Sequence, residues 1–269
     1  MTELNIANII AVLRIKTDFD LQIIQTELSK SDLITYSELS FTNGDSNILN
    51  TISKGERRIV RRKVPKKTFR NQLLLETKYH NSLKFFRNGT IHFNGFKKLE
   101  DILMVGNQIM CLLDYYSILF GLFQIPSSLN VDDIEICAMN GTIKLAKPIP
   151  RDRMIATSEY IEDNMLLDSY YDGKKIRITY FFNEIPGSYD GRCHCKDAKT
   201  CGWKKRSGVG EGECIILTLI LFKTGSIRIF GVKSFHQLNV IHTFINCFLE
   251  PCIVESNLPN NIKNNYKLL

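Results

Sequence analysis

The second half of the sequence contains a close group of residues that can bind a metal ion. Cys193, His194 and Cys195 are consecutive, Cys201 follows in the same segment, and Cys214 lies beyond it. Thiolates at such spacing suit a tetrahedral Zn²⁺, and the metal would fold a glycine-rich loop that has no core of its own. We predict Cys193, Cys195 and Cys201 as ligands, with Cys214 or His194 as the fourth. The alternative is a loop of reduced thiols, because the spacing is not that of paired Cys-x-x-Cys motifs.

A basic run is the second chemically distinctive segment. Arg57–Lys67 contains seven Lys and Arg residues, and the formal net charge of the whole chain is +7. Such a run is either a solvated loop or a site that holds phosphates. The net charge favours a polyanionic partner without proving one.

The sequence lacks the motifs of the common enzyme classes. It has no glycine-rich phosphate loop, nucleophile elbow or His-Glu-x-x-His motif, and its carboxylates show no clear pairing. We predict that the protein is not an enzyme and requires no cofactor; a structural Zn²⁺ is the metal that the cysteine cluster suggests. The first residues do not resemble a signal peptide, and eight cysteines without one indicate reduced thiols or metal rather than secretion. The apolar stretch Ile109–Ile125 carries Asp114, so we expect a buried helix and no membrane segment.

One sequence pattern occurs twice. Phe85–Ile102 reads FFRNGTIHFNGFKKLEDI and Leu221–Leu238 reads LFKTGSIRIFGVKSFHQL, with aligned residue numbers that differ by 136 (222 − 86 = 136). Five identities fall in this frame without a gap: Phe86/Phe222, Gly89/Gly225, Ile91/Ile227, Gly95/Gly231 and Lys97/Lys233. A period this long indicates a duplicated half rather than a solenoid repeat.

Each copy reads as strand, helix, strands, helix, which predicts an α+β fold. In the first copy we expect strands at Leu4–Ile15, Leu33–Thr42, Phe69–Thr77, Ser82–Arg87 and Thr90–Asn94, and helices at Asp20–Ser29 and Lys98–Asp114. In the second we expect strands at Glu135–Leu145, Asn164–Ser169, Lys175–Asn183, Cys214–Lys223 and Ser226–Ile229, and helices at Asp152–Ile161 and Phe235–Leu249.

Strand alternation separates two faces in each copy, because successive side chains point to opposite sides. Leu83, Phe85, Ile91 and Phe93 share one face, and Leu219, Leu221, Ile227 and Ile229 share its counterpart. The opposite faces carry Lys84, Phe86, His92 and Asn94 in the first copy, and Ile220, Phe222, Arg228 and Phe230 in the second. Aromatic residues mixed with Lys, Arg, His and Asn indicate a binding face rather than a core face.

These motifs resemble the TATA-box-binding protein family. Phe86–Gly89 through Lys97, and Phe222–Gly225 through Lys233, are similar to that family's phenylalanine, turn glycine, strand and Gly-x-Lys. Asn8–Val12 resembles its first strand. His92, Asn94 and Arg228 depart from the family, which usually has small apolar residues at these positions. Such departures resemble those of the TATA-box-binding-like proteins of large DNA viruses.

The resemblance implies a saddle of two pseudo-symmetric repeats, with a curved antiparallel sheet and helices on the convex face. Repeat 1 would span residues 1–125 with an insertion at 43–67. Repeat 2 would span 126–256 with a Cys/Gly-rich insertion at 184–212, and residues 257–269 would form a polar tail.

The resemblance also implies the DNA-binding residues. Phe69 and Phe86 would form one wedge pair, and Tyr171 and Phe222 the other. The remaining predicted contacts are Asn8, Ile10, Val12, His92, Asn94, Asn140, Thr142, Arg177, Arg228 and Phe230. If the frame is instead kept through Lys147–Ile149, the position of Asn8 corresponds to Ala138, and Asn140 lies two residues later on the same face. Either the asparagine is displaced in the second copy or this register is wrong.

The implied function is that of a general transcription initiation factor. It would bind the minor groove of AT-rich promoter DNA, insert its aromatic wedges and bend the duplex to nucleate RNA polymerase assembly. The expected partners are double-stranded DNA, a transcription factor IIB-like factor and the polymerase complex, with a monomer on DNA and no membrane. The expected location is the nucleus or, for a viral protein, a cytoplasmic transcription site or the virion. The alternative is a protein-interaction scaffold of the same fold that has lost DNA bending.

Overall fold

The computed structural model describes residues 3–15, 17–43, 46–53, 71–120, 129–165, 169–182, 190–193, 214–249 and 253. They belong to two compact units. The first unit is Asn8–Cys137, and the second unit comprises Met1–Ala7 and Ala138–Leu269.

The secondary structure of the first half follows the predicted order with one added strand. Its elements are β1 (Leu4–Arg14), α1 (Leu21–Leu28), β2 (Ile34–Asn43), β3 (Ser46–Ser53), β4 (Gln72–Thr77), β5 (Ser82–Phe86), β6 (Thr90–Phe96) and α2 (Leu99–Phe120). Helix α1 begins at a cap, because the Asp20 carboxylate accepts hydrogen bonds from the N–H groups of Gln22 and Ile23. Within the first unit the strand order is β3-β2-β4-β5-β6-β1, and neighbouring strands are antiparallel.

The second half has the elements β7 (Ile134–Lys144), α3 (Arg151–Met165), β8 (Ser169–Tyr171), β9 (Lys175–Phe182), β10 (Ile215–Phe222), β11 (Ser226–Val232) and α4 (Phe235–Phe244), with a 3₁₀ turn at Val131–Asp133 and a π-helical turn at Ile245–Leu249. In α4 the Ser234 hydroxyl accepts from Gln237 N–H, and the Gln237 side chain accepts from Lys233 N–H. This reciprocal arrangement is close to a capping box. The strand order in the second unit is β7-β11-β10-β9-β8, again antiparallel.

Two expectations were wrong. Strand β3 lies inside the expected insertion at 43–67, where we predicted no strand, and it pairs with β2 from Asn43↔Ser46 to Tyr36↔Ser53. Its sequence, SNILNTIS, mixes Ile and Thr, which are favoured in strands, with Asn, which is not, so pairing with β2 decides its conformation. The strand expected at Asn164–Ser169 is displaced, because α3 continues to Met165 and β8 begins at Ser169.

The helices cover one face of the strands in each unit. Helix α1 packs on β2 and β4 and α2 on β6 in the first unit, whereas α3 packs on β8 and β9 and α4 on β11 in the second. Aromatic pairs help to fill the two cores, with ring centroids 5.8 Å apart for Phe19 and Phe85 and 4.9 Å apart for Tyr180 and Phe244. Among the described helices, none combines the length and the apolar character that a membrane crossing requires.

Candidate nucleic-acid interface

The predicted alternation of faces is confirmed in the first unit. Leu83, Phe85, Ile91 and Phe93 are fully buried, whereas Lys84, Phe86, His92 and Asn94 are half-buried on the side away from the helices. The pairing of β5 with β6 sets Lys84 opposite His92 and Ser82 opposite Asn94. We call Lys84, Phe86, His92 and Asn94 the first open face.

Strand β1 extends the first open face. Val12 lies directly opposite His92, and a register shift between Ile9 and Ala11 separates it from Asn8 and Ile10, which are half-buried. Val12 is only 3% exposed although it belongs to the side that faces away from the helices. Asn8 and Ile10 therefore leave part of their surface exposed, whereas Val12 offers little of its own surface to a partner.

The side-chain amide of Asn8 is engaged within the first unit. Its Oδ1 accepts a hydrogen bond from Gly95 N–H at 2.8 Å, and its Nδ2 donates to Asn94 Oδ1 at 3.0 Å. Gly95 has φ = +89°, in the left-handed region that favours glycine, next to the register shift in β1 and β6. Asn8 thus stabilises this irregularity and retains one amide hydrogen that neither of these bonds uses.

Phe86 and His92 contact each other on the first open face. Their ring centroids are 4.9 Å apart with a tilt of 56°. Burial lowers the pKa of His92, and the positive charges of Lys84 and Arg14 lower it further. The imidazole is consequently neutral at pH 7, and it becomes a cation beside the Phe86 ring only in acid.

The second unit presents the corresponding surface, which we call the second open face: Ile220, Phe222, Arg228 and Phe230. Ile220, Phe222 and Phe230 are half-buried and Arg228 is exposed, whereas Leu219, Leu221, Ile227 and Ile229 are fully buried. The Arg228 guanidinium carbon lies 5.5 Å from the Phe222 ring centroid, within the range of a cation–π contact. Phe86 and His92 contact each other in the first unit, and Phe222 and Arg228, which follow at the offset of 136, contact each other in the second.

The strand registers of the two units correspond residue by residue. Ser82↔Asn94 in the first unit matches Thr218↔Phe230 in the second, and Lys84↔His92 matches Ile220↔Arg228. On the first strands, Ile9↔Phe96 corresponds to Met139↔Val232 and Val12↔His92 to Thr142↔Arg228. This frame places Ala138 at the position of Asn8. Asn140 and Thr142 are both half-buried on β7, with Thr142 directly opposite Arg228.

In the hairpin of β8 and β9, Tyr171 and Arg177 lie on opposite sides of the strands. Tyr170 is opposite Arg177 and 68% exposed, whereas Tyr171 is half-buried and opposite the fully buried Ile176. The intervening turn is held by Asp172, whose carboxylate accepts from Lys174 and Lys175 N–H; the first of these bonds is the main cause of its lowered pKa. Tyr170 was missed, and alternation counted back through the turn from Arg177 would have indicated it.

Two acidic residues were also missed on the same side of the first unit. Glu38 lies opposite Leu74, and Glu76 lies opposite Ser82 and Tyr36. Both carboxylates are half-buried, and Glu38 accepts a hydrogen bond from the Tyr36 hydroxyl at 2.6 Å. The outer strands β2 and β4 therefore carry negative charge, whereas β1 and β5 carry the cations Arg14 and Lys84 and β6 carries the neutral His92. Strand parity within β2 and β4 was the available signal.

Of the predicted metal ligands, the structure describes Cys193 and Cys214. Their sulfur atoms are 3.9 Å apart, and Cys214 is fully buried. His194, Cys195 and Cys201 lie outside the described residues, as do Phe69 and the basic run Arg57–Lys67.

The chain as a whole is similar to a known structure. TBP from Methanococcus jannaschii matches over 90% of this chain and 95% of its own, with a TM-score of 0.50 and 14% sequence identity. The chain has a TBP-like fold. No protein-family model and no curated protein sequence matches it. At this identity the likeness shows the fold alone.

Proposed function

We propose that the protein is a DNA-binding transcription initiation factor that binds the minor groove of AT-rich promoter DNA and bends it to nucleate RNA polymerase assembly. The observation that carries the proposal is the matching placement of Phe86 with His92 and of Phe222 with Arg228 on the open faces of a TBP-like fold. That the two units act as pseudo-symmetric halves of one DNA-binding saddle is part of this proposal.

The position of the two phenylalanines suits insertion between base pairs. Phe86 is the last residue of β5 and Phe222 the last of β10, so each ring stands at a strand end beside a turn. Both rings are half-buried on a side that the helices leave uncovered. Unstacking a base step costs a few kcal/mol, and the larger protein surface that a bent duplex touches must offset this cost. Flexible TA steps reduce it, which would favour AT-rich sites without direct base reading.

The polar residues beside these rings suit the minor groove. Its floor offers mainly acceptor atoms, so a reader needs apolar contact and a few donors. The unused amide hydrogen of Asn8, the amides of Asn94 and Asn140 and the hydroxyl of Thr142 would supply such donors. Arg228 would approach a phosphate while remaining in contact with the Phe222 ring.

The acidic outer strands limit the proposed DNA path. Glu38 and Glu76 would face phosphates unfavourably, so in the first unit we propose contact through β5, β6 and β1 rather than through β2 and β4. Neutralising both carboxylates, as Glu38→Gln with Glu76→Gln, should then leave DNA affinity unchanged or modestly raised. A loss of affinity in this variant would contradict the proposed path.

The deciding experiment measures DNA bending. Fluorescence transfer between dyes at the two ends of a short TATA-containing duplex reports the end-to-end distance. Wild-type protein should increase transfer, and Phe86→Ala combined with Phe222→Ala should abolish the increase. Phe235→Ala is the matched control, because Phe235 is an exposed phenylalanine at the start of α4 rather than on the sheet face. An unbent duplex at saturating protein would refute the proposal.

A second candidate function is a protein-interaction scaffold that has lost DNA bending. The carboxylates of Glu38 and Glu76 and the burial of Val12 favour it, since neither helps to hold a nucleic acid. A scaffold would leave the duplex unbent. Its wild-type form and its double phenylalanine variant would bind protein partners with equal affinity.

Under the first proposal, the partners are a transcription factor IIB-like factor and the polymerase, recruited to a monomer on DNA. We further propose that the protein acts at a nuclear or viral transcription site.

A further inference from the structure

We propose that Cys193 and Cys214 are two thiolate ligands of a structural Zn²⁺ that ties the end of β9 to the start of β10. The end of β9 and the start of β10, which pair with each other, position both cysteines. Phe181 N–H donates to Gly191 O at 2.8 Å, which holds the segment containing Cys193 beside β9. Cys214 directly precedes β10, whose first residue, Ile215, pairs with Phe182.

The sulfur geometry suits two corners of a zinc tetrahedron. With Zn–S bonds of about 2.3 Å, two thiolates on a tetrahedral Zn²⁺ are about 3.8 Å apart. The observed separation of 3.9 Å between Cys193 Sγ and Cys214 Sγ lies close to this value. It is far longer than the bond of about 2.05 Å in a disulfide. The pair can therefore accept a metal ion without a large change in backbone position.

The environment of the pair also suits a metal-bound thiolate. Cys214 is fully buried and Cys193 is half-buried. A buried thiolate requires a compensating positive charge, and two thiolates balance the charge of one Zn²⁺. We do not assign Asp190 as a metal ligand, because its carboxylate accepts a hydrogen bond from Arg192 N–H at 2.9 Å.

Two further ligands are required for a closed structural site. The sequence offers His194, Cys195 and Cys201 between the two observed cysteines, and any two of them complete a set of sulfur and imidazole donors. The expected consequence is local to the second unit. The metal links Cys193 to Cys214 and thereby holds β9 against β10, which removes conformational freedom from the unfolded chain.

Metal content of the purified full chain is the direct test. Elemental analysis of protein prepared without chelator should find about one Zn²⁺ per chain. Replacement by Co²⁺ should produce the visible absorption of a tetrahedral cobalt–thiolate centre. Cys193→Ser should abolish both signals, and so should Cys214→Ser. Cys111→Ser and Cys247→Ser are matched controls that should retain them, because both cysteines are exposed and lie on α2 and in the π-helical turn.

The variants also distinguish the metal site from general unfolding. Since Cys214 is fully buried, Cys214→Ser alone can fail to fold, but Cys193 is half-buried and its replacement by Ser should leave the circular dichroism spectrum of the sheet intact. Zinc that persists in a folded Cys193→Ser variant would overturn the proposal. Protein free of zinc, or a Cys193–Cys214 disulfide found by peptide mapping under non-reducing conditions, would overturn it equally.

Discussion

Replacing Asn8 by Asp separates the structural role of this residue from its proposed role in DNA binding. In the protein, Asn8 Oδ1 accepts from Gly95 N–H at 2.8 Å and Nδ2 donates to Asn94 Oδ1 at 3.0 Å. Asp keeps the acceptor for Gly95, and the Asn94 amide can turn to donate in place of accepting. Ala removes both hydrogen bonds. Asn8→Ala should therefore be the less stable variant, whereas Asn8→Asp should bind DNA more weakly.

The size of each effect follows from these contacts. Each hydrogen bond contributes about 0.5–1.5 kcal/mol net, and Gly95 is exposed enough for water to replace part of the loss, so Asn8→Ala should lower the unfolding free energy by about 1–2 kcal/mol. Asn8→Asp should stay within about 0.5 kcal/mol of wild type because the Gly95 bond remains. Near a phosphate, however, the new carboxylate costs about 1 kcal/mol in water and more where water is excluded. With the lost donor, DNA affinity should fall at least roughly thirtyfold.

Urea denaturation and fluorescence anisotropy with a labelled AT-rich duplex measure the two quantities. Asn239→Asp is the matched control, since Asn239 is exposed on α4 and the change adds the same charge away from the sheet face. Equal destabilisation by Asp and Ala at position 8 would refute the capping of Gly95. Unchanged DNA affinity in Asn8→Asp would show that this position does not face DNA.

Three further predictions concern charge and backbone geometry. The pKa of His92 is lowered in the folded protein, so its contribution to stability is complete above the ordinary histidine pKa of about 6.5. That contribution is lost as the pH falls from this value through the lower pKa of the folded protein, because the unfolded chain binds the proton first. His92→Gln should flatten this part of the stability–pH curve, and an unchanged curve would contradict the assignment. Arg228→Gln should reduce the slope of log affinity against log salt by about 0.9 if Arg228 holds one phosphate, measured by DNA titration over a range of salt concentrations. Gly225→Ala should destabilise the protein by at least about 1 kcal/mol more than Gly173→Ala in thermal or urea unfolding, and equal losses would count against the steric reason. Both glycines have positive φ, but an added Cβ would lie 2.5 Å from Lys147 O only at Gly225.

Strand alternation was a good guide to the faces of the sheet. Leu83 and Phe85 were predicted inside and Phe86 outside, and burial bears this out because the alternation depends only on the local backbone. The Asn88-Gly89 turn and the helix start at Asp20 were equally local signals. The same reasoning failed for β3, whose mixed composition does not predict a strand and whose conformation is decided by pairing with β2.

The site was less predictable wherever partners are distant in the chain. The sequence suggested Asn8 as a donor to DNA, whereas its contact with Asn94 depends on the pairing of β1 with β6 across 86 positions. The choice between Tyr170 and Tyr171 depends on how the Asp172 turn sets the register of β8 against β9. No short-range pattern contains that information.

The sequence by itself determined the doubled pattern around Phe86 and Phe222, the sides of β5, β6, β10 and β11 that face the core, and a shortlist of metal-binding residues. These features follow from residue type and from a period of two residues, both of which are local. Only the tertiary structure decided that Ala138 corresponds to Asn8 and that Cys193 and Cys214 stand 3.9 Å apart. Each of these depends on strand register between distant segments, which is set by the packing of the whole unit rather than by any neighbouring residue.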